Sequence, residues 1–183
     1  GIGEKLYWDI SSPETDALAP ENPLIMMTGP LCATSAPAAS RMAVCGKSPC
    51  TFPERFVNAS IGGFFPAELK KAGFDGMVFT GKADKPVYIY VNNNQVDIRD
   101  ASPLWGNNNR EVRALIDKDT AERSKILSIG SGCEKGARIG NIIGDLGSSA
   151  SMGFGSLMGS KNLKAIAVTG SGRVGVADPE GVK

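Results

Sequence analysis

The sequence predicts an α+β fold whose sheets are largely antiparallel. Its apolar runs are short and strand-like, several are joined as hairpins, and two or three brief helical patterns separate them. A doubly wound parallel sheet would instead show regular alternation of strands with long helices. With 23 glycines and 11 prolines among 183 residues, the chain is rich in turns. A chain of this length forms one domain or two closely packed halves and buries roughly 70% of its unfolded surface.

The first part of the chain predicts a helix and two strands, which are separated by loops that contain proline. Residues 1–8 predict a short amphipathic helix that begins mid-element, so we expect an earlier segment to precede it. The polar stretch Pro13–Pro23 predicts a surface loop. An apolar run predicts a strand at Leu24–Met27, halted by Gly29-Pro30, and a second strand is predicted at Arg41–Gly46.

The middle of the chain predicts a helix and then a hairpin. Phe64–Ala72 has one apolar helical face, and Gly73 after it is a natural C-terminal cap. The strand Met77–Thr80 follows. Val87–Val91 and Gln95–Arg99 flank three asparagines, which tolerate the left-handed turn conformation, so they predict a hairpin.

The second half predicts an exposed helix at Asn109–Asp117 that turns Val112, Leu115 and Ile116 inward, and a strand at Ile126–Ile129. Residues 137–143 are short and apolar, either a strand or a buried helix. The composition of residues 171–183 predicts a connecting segment. We therefore expect residues 1–172 to form one domain, and residues 173–183 to lead toward a further C-terminal catalytic region.

Composition excludes several classes of function. Twenty basic and 19 acidic residues give a formal net charge of +1, so no broad field attracts nucleic acid or a membrane surface. No apolar run approaches the roughly 20 residues that span a bilayer. The chain has no histidine, which removes Ser-His and Cys-His pairs and the usual general base near neutral pH. Any chemistry must come from a bound cofactor or from another segment.

The four cysteines do not form a metal motif. Cys32, Cys45, Cys50 and Cys133 are widely and irregularly spaced, without the spacing of a zinc or iron–sulfur site. An even number permits disulfides. Their apolar surroundings favour buried free thiols in a reducing compartment.

The stretch Gly147–Gly170 is rich in glycine and serine and predicts a phosphate-binding loop. Small residues let the backbone approach a ligand, while hydroxyls and unpaired amides at the following helix start suit anionic oxygens. The Rossmann fingerprint fails, because the third glycine after Gly153 and Gly155 comes one place late and no strand precedes the loop. The alternative is a tight turn with close packing.

An internal repeat supports the ligand-binding interpretation. At an offset of 89 positions, from Thr80 to Thr169, residues 73–81 align with residues 162–170. Each copy has a small-residue loop, a short helical stretch with a lysine, and an apolar strand ending in Thr-Gly; the earlier loop contains Ser60, Gly62 and Gly63. Two equivalent loops would suit one pseudo-symmetric ligand. The alternative is chance similarity.

A lone arginine, Arg41, follows a loop of alanine and serine. It is either an anion clamp or a solvated charge at a strand edge. The residues alone leave both interpretations open.

Several motifs together resemble the N-terminal domain of the tungstopterin aldehyde:ferredoxin oxidoreductases, over nearly all 183 positions. Those of the first half are Pro20–Ile25, Thr28–Leu31, Ser35–Pro37, Gly62–Phe65, Glu68–Lys70 and Ala72-Gly73. Those of the second half are Gly81–Ala83, Lys85–Tyr88, Ile98–Ser102, Trp105-Gly106 and Met158–Val168.

The resemblance implies a fold and a cofactor. The fold is a saddle of two related six-stranded sheets, a pseudo-twofold duplication to which the internal repeat corresponds. The cofactor is a bis-pterin complex of tungsten or molybdenum, with one pterin phosphate end held by each half. The family's [4Fe–4S] cysteines and acidic catalytic residues lie beyond this domain, so no catalytic residue is expected in this chain.

The resemblance also implies the binding residues. In the first half they are Arg41, Ser60, Gly62 and Gly63, and in the second half Gly147, Ser148, Ala150 and Ser151. The backbone carbonyls of Ser60 and Ser148 are expected to hold a Mg²⁺ ion that bridges the two phosphates.

The chain departs from the family at these loops. Ser60 stands where the family has an asparagine. Gly147 and Ser151 stand where the family has two phosphate-facing arginines. Charge-assisted hydrogen bonds of this kind contribute about 1.5–3 kcal/mol each, and serine hydroxyls do not restore the charge. The resulting Ser-Ser-Ala-Ser loop resembles the branch that includes the tungsten subunit of ATP-independent benzoyl-CoA reductases.

Three functions follow from the resemblance. The first is the cofactor-binding part of a cytoplasmic, anaerobic oxidoreductase that oxidises aldehydes to carboxylic acids. Its expected partners are ferredoxin or an iron–sulfur electron-transfer subunit, in a homo- or hetero-oligomer, and reduction of an aromatic acyl-CoA is the alternative reaction. The second is a pterin-binding module without turnover, and the third is a structural subunit without cofactor.

Overall fold

The computed structural model describes residues 1–120 and 124–182, and in them two sheets pack face to face with short helices around them. The first sheet is wholly antiparallel, in the order β3-β2-β1-β4. The elements of the first half are α1 (Ile2–Ile10), β1 (Leu24–Thr28), β2 (Met42–Ser48), β3 (Arg55–Ile61), α2 (Phe65–Lys71) and β4 (Gly76–Phe79).

The second sheet is mixed, in the order β6-β5-β10-β7-β8-β9. The pair of β5 and β10 is parallel, and the other pairs are antiparallel. The elements of the second half are β5 (Val87–Asn92), β6 (Gln95–Asp100), α3 (Asn109–Asp119), β7 (Lys125–Ser128), α4 (Ser131–Glu134), β8 (Ile142–Ile143), β9 (Ser149–Ala150), α5 (Phe154–Ser160) and β10 (Leu163–Thr169). Two 3-10 turns, Ser102–Leu104 and Asp145–Gly147, complete the half.

The α+β class is confirmed, but the expectation of two six-stranded sheets is wrong for the first sheet. That sheet has four strands within the described ranges. The connectors beside it carry Pro20, Pro23, Pro30 and Pro37, which cannot donate a backbone hydrogen bond to a neighbouring strand. These connectors form turns and bends instead of strands.

The main apolar core lies between the two sheets. It combines Leu24, Met26 and Val44 of the first sheet with Leu127 and Ile166 of the second. A second, smaller core lies on the other face of the second sheet, under α3. Each sheet contributes one face to the shared core, and β3 of the first sheet contacts β9 of the second.

Several local predictions change at their boundaries. Arg41 precedes β2 instead of beginning it, and the unpredicted β3 occupies residues 55–61. The predicted inward side of α3 holds for Val112 and Ile116, but Leu115 is 36% exposed because its position rotates away from the small core. Residues 137–143 are neither a full strand nor a helix, since only Ile142–Ile143 pair and turns precede them.

The repeated helix–strand unit is present, as α2 with β4 and α5 with β10. Its two copies occupy different places, because β4 is an edge strand and β10 lies inside its sheet. All seven residues of β10 are buried, whereas β4 is partly exposed. The two halves are therefore related in local order but are not equivalent in the sheets.

All four cysteines carry free thiols. Cys32, Cys45 and Cys133 are buried as predicted, while Cys50 is exposed in the turn after β2. Lys183, the end of the predicted connector, lies outside the described residues. Among the helices of residues 1–120 and 124–182, none has the length and hydropathy needed to cross a bilayer.

Candidate functional site

Two turns from different halves of the chain meet in the structure. The first turn, residues 60–63, follows β3, and the second turn, residues 147–151, includes β9. The backbone N–H of Gly62 donates a hydrogen bond to Ser148 Oγ at 2.7 Å. The structure thus brings together the two loops that the sequence singles out.

Close packing shapes the first turn. Gly63 has φ +85°, a left-handed conformation that favours glycine. A Cβ atom on Gly63 would lie 3.3 Å from the carbonyl oxygen of Asp145, so the second half leaves little room for a side chain there. Ser40 Oγ donates to the Gly63 carbonyl oxygen at 2.7 Å and ties the turn to the segment before Arg41.

Backbone hydrogen bonds shape the second turn. The Ser148 N–H donates to the Asp145 carbonyl oxygen at 2.9 Å, and the Gly144 N–H donates to the Ser148 carbonyl oxygen at 2.8 Å. Gly147 has φ +72°, and a Cβ atom there would meet nothing within 4 Å. Of the remaining predicted residues, Ser151 is exposed and Ala150 is buried opposite Ile142.

Arg41 lies beside the first turn in a shallow cavity of about 450 Å³. Ser60, Thr28 and Gly29 line the same cavity. The Arg41 side chain is exposed, and its guanidinium has no hydrogen-bond or ion-pair partner in the part of the chain that the structure describes. Residues 147–151 do not line this cavity. The first turn connects them to it, because Ser60 lines the cavity and Gly62 is hydrogen-bonded to Ser148.

The carbonyl oxygens proposed to hold Mg²⁺ lie in different local settings. The Ser148 carbonyl already accepts one hydrogen bond, which leaves one lone pair for another partner. Ser60 is an exposed residue near the end of β3, opposite Ala43. In residues 1–120 and 124–182, no group of three acidic or cysteine side chains forms an alternative metal site.

The prediction of a phosphate-binding helix start at α5 is wrong. Gly153 and Gly155 are buried, and a Cβ atom on either would collide with the backbone of Arg138 or Asn141. The Gly155 N–H donates to the Gly140 carbonyl oxygen at 2.9 Å, so this amide already has an acceptor. Here the glycines serve close packing, which was the alternative, and ligand-accessible groups of this stretch are confined to its first residues.

The two lysines that follow α5 are also buried. Lys161 Nζ donates to the Pro20 and Gly81 carbonyl oxygens at 2.7 and 3.3 Å, and burial lowers its pKa from 10.5 to about 8. Lys164 Nζ donates to the Asn107 and Ile129 carbonyl oxygens at 2.9 Å and pairs with Glu134. Both lysines connect distant parts of the chain through hydrogen bonds to backbone carbonyl oxygens.

Sequence reasoning missed two charged residues at the site. Asp145 lies two residues before the second turn, and its carboxylate pairs with Arg113 of α3 at 3.1 Å. An aspartate inside an otherwise apolar and small-residue stretch was the available signal for Asp145. No comparable signal marked Arg113, because charged residues are ordinary on an exposed helix face.

Comparison with known proteins decides the family. The profile described as the N-terminal domain of aldehyde ferredoxin oxidoreductase matches residues 1–170. The tungsten-containing aldehyde ferredoxin oxidoreductase of Pyrococcus furiosus is 48% identical over an alignment of 183 positions, which covers 98% of this chain and 30% of that protein. The chain belongs to the aldehyde ferredoxin oxidoreductase family.

Other members of this family align over the same region. The tungsten-containing aldehyde ferredoxin oxidoreductase of Thermococcus kodakarensis is 47% identical, over 98% of this chain and 30% of its own length. The WOR-like subunit of an aliphatic sulfonate oxidoreductase from Pyrococcus furiosus is 34% identical, over 93% of this chain and 28% of that protein.

A solved structure shares the fold. A chain of the active-site complex of benzoyl coenzyme A reductase with 1,5-dienoyl-CoA matches with a TM-score of 0.91 at 40% identity. The match covers 96% of this chain and 27% of that one. The chain thus spans less than a third of the length of the relatives it matches.

Proposed function

We propose that this chain is the metallopterin-binding domain of a tungsten-dependent oxidoreductase that oxidises aldehydes to carboxylic acids. The observation that carries the proposal is the hydrogen bond between Gly62 and Ser148, which makes one polar surface from two turns. Family membership and the tungsten-containing enzymes among the relatives support the same function.

The residues of the two turns fit the phosphate ends of a bis-pterin cofactor. Exposed serine hydroxyls, glycine backbone and one unpaired guanidinium all suit an anion. Arg41 binds one phosphate beside Ser60, Gly62 and Gly63 in the first turn. Gly147, Ser148 and Ser151 form the contact surface for the other, while Ala150, which is buried in the core, packs beneath that surface.

The carbonyl oxygens of Ser60 and Ser148 are hard ligands of the kind that Mg²⁺ prefers, and we assign them to a phosphate-bridging ion. Since the second turn has no cationic side chain, such an ion would supply much of the positive charge there. When bound, the metallopterin supplies the redox chemistry, while the domain binds and orients it.

Reduction of an aromatic acyl-CoA is the second candidate reaction. The fold match to a benzoyl coenzyme A reductase chain, at a TM-score of 0.91, supports it. The Ser-Ser-Ala-Ser sequence at residues 148–151 supports it as well. Both reactions use the same cofactor-binding role for this domain.

The rest of the proposal concerns the whole protein. Residues 1–172 form the cofactor-binding domain, and residues 173–183 lead to a region that carries a [4Fe–4S] cluster and the substrate pocket. Ferredoxin or an iron–sulfur subunit is the electron partner, within a homo- or hetero-oligomer. Four free thiols support an anaerobic, cytoplasmic setting.

Arg41→Ala in the full-length protein tests the proposal. The wild type, expressed anaerobically with tungstate, is expected to contain tungsten and pterin. The variant is expected to lose most of both without unfolding, because a charge-assisted bond to phosphate contributes about 1.5–3 kcal/mol. Elemental analysis and pterin fluorescence measure the content, and circular dichroism measures the fold.

Arg55→Ala is the matched control, since Arg55 is another exposed arginine at the opposite end of the β2–β3 pair. Equal metal content in both variants would identify Arg41 as only an edge charge. A wild type without tungsten or molybdenum would overturn the metallopterin function itself.

A further inference from the structure

Asp145 is a buried carboxylate at the point where the two turns meet. Asp145 is 9% exposed, and its Oδ1 lies 3.1 Å from Nη1 of Arg113. The other oxygen, Oδ2, is buried and has no hydrogen-bond partner among the residues described. Because a buried carboxylate with an unpaired oxygen lowers the stability of a fold, stability alone does not account for this residue.

The backbone of Asp145 contacts both turns. Its carbonyl oxygen accepts the Ser148 N–H at 2.9 Å and thereby sets where the Ser148 side chain begins. The same carbonyl oxygen limits the space over Gly63, where a Cβ atom would lie 3.3 Å away. A displacement of Asp145 would therefore move the Ser148 hydroxyl and change the packing on Gly63 at the same time.

Arg113 connects Asp145 to the body of the second sheet. Its Nη2 donates to the carbonyl oxygen of Ile126 in β7 at 3.3 Å, while Nη1 faces Asp145. The Arg113 side chain is 37% exposed, so water still reaches the guanidinium. One side chain thus joins α3, a sheet strand and the segment before the second turn.

We infer that Asp145 is a positioning residue for cofactor binding: its ion pair with Arg113 holds Ser148 Oγ against the Gly62 N–H. The two turns then present their polar groups as one prearranged surface, and less ordering is required when the anion binds. The effect on the cofactor rests on the proposed function, whereas the effect on the Gly62–Ser148 contact does not.

The test compares Asp145→Ala with Asp145→Asn in the full-length protein. The alanine variant removes the ion pair but keeps the backbone carbonyl, and the asparagine variant keeps an acceptor for Arg113. Glu54→Ala is the matched control, because Glu54 also pairs with an arginine, Arg138, and neither residue belongs to the two turns. Amide exchange at Gly62, tungsten content after gel filtration, and the unfolding temperature are measured for each.

Asp145→Ala is expected to speed exchange at Gly62 and to reduce tungsten retention by about tenfold each, as for other coupled contacts. Asp145→Asn is expected to fall between that variant and the wild type. Glu54→Ala is expected to leave exchange at Gly62 and tungsten retention unchanged. When both proteins are compared without cofactor, the unfolding temperature of Asp145→Ala is expected to stay at or above that of the wild type. A purely structural role of Asp145 would instead lower the unfolding temperature of the variant.

Unchanged exchange at Gly62 in Asp145→Ala would overturn the inference, whether or not tungsten is lost. Faster exchange with full tungsten retention would also overturn it, because the contact would then not govern binding. Faster exchange in a protein whose wild type holds no metal would support the positioning of the turns and overturn the proposed function instead.

Discussion

The hydroxyl of Ser148 closes the contact between the two halves. Its Oγ accepts the Gly62 N–H, and the backbone of Ser148 is held by Gly144 on one side and Asp145 on the other. A side chain whose backbone is fixed at both ends loses little further freedom when it forms a bond. This residue can therefore define the spacing between the turns.

Ser148→Ala should weaken the junction. The half-buried Gly62 N–H loses its acceptor, which costs about 1 kcal/mol of unfolding free energy, as for other hydrogen bonds removed at a partly buried site. Chemical denaturation measures the change. Ser149→Ala, at an exposed neighbouring serine, is the control and should have almost no effect. Equal effects of the two substitutions would contradict the role given to Ser148.

For individual residues, the sequence singled out the two turns but not the ion pair of Arg113 and Asp145 beside them. Ser60, Gly62 and Ser148 belong to stretches whose composition is unusual, so they stand out in the chain. Arg113 lies 32 positions before Asp145, and only the packing of α3 against the second sheet brings them together. A pairing that depends on tertiary structure leaves no local trace in the sequence.

Among the elements, α3 has the most complete N-terminal cap. The Asn108 side chain accepts the N–H groups of Arg110 and Glu111 at 3.0 and 3.1 Å, and the Glu111 side chain accepts the Asn108 N–H at 2.9 Å. This reciprocal arrangement fixes where the helix begins. It also fixes the helical position of Arg113, one turn later.

Asn108→Ala should lower stability by about 1 kcal/mol, the usual effect of removing an N-cap side chain. Thermal unfolding measures it. The control is Asn109→Ala, because the next residue makes no cap hydrogen bond and alanine favours a helix. A loss in Asn109→Ala as large as that in Asn108→Ala would show that the cap is not the cause.

The start of α5 shows why glycine-rich stretches are ambiguous. Small residues permit the approach of a phosphate and equally the approach of another backbone. Residues 138–141, which the sequence left as a strand or a helix, form a turn and the segment leading into β8, and their backbone packs on Gly153 and Gly155. Because the structure of residues 138–141 could not be predicted, the sequence did not show that they pack on the start of α5. The phosphate-binding interpretation of α5 was wrong for this reason.

For the whole molecule, Lys161 joins the two halves. Its ammonium group donates to carbonyl oxygens before β1 and after β4, while its own backbone leads into β10. Hydrogen bonds to carbonyl oxygens satisfy the ammonium group without a partner charge, and the loss of water lowers its pKa from 10.5 to about 8. The folded chain therefore releases this proton more readily than the unfolded chain.

This shift predicts a pH dependence of stability. Between about pH 8 and pH 10.5 the unfolded chain retains the Lys161 proton while the folded chain loses it, so this contribution to stability rises with pH. The difference in unfolding free energy between the wild type and Lys161→Met should increase across that range. Lys82→Met, at an exposed lysine, corrects for the loss of a charge. A constant difference would contradict the assignment.

The sequence predicted the local pairings of the fold better than its sheet order. The hairpin of β5 and β6 was correctly placed because its turn chemistry lies between its strands. The sheet order was not accessible, because β10 pairs in parallel with β5, more than 70 positions earlier. Only the shared core between the sheets selects that arrangement.

The central place of β10 sets the order in which this domain can be completed. β10 lies between β5 and β7, so both strands keep an open, apolar edge until residues 163–169 have left the ribosome. The first sheet needs no strand beyond β4 and can close much earlier. Synthesis that stops before Leu163 would therefore produce a half-folded chain with two unprotected strand edges, a form suited to aggregation or to capture by a chaperone.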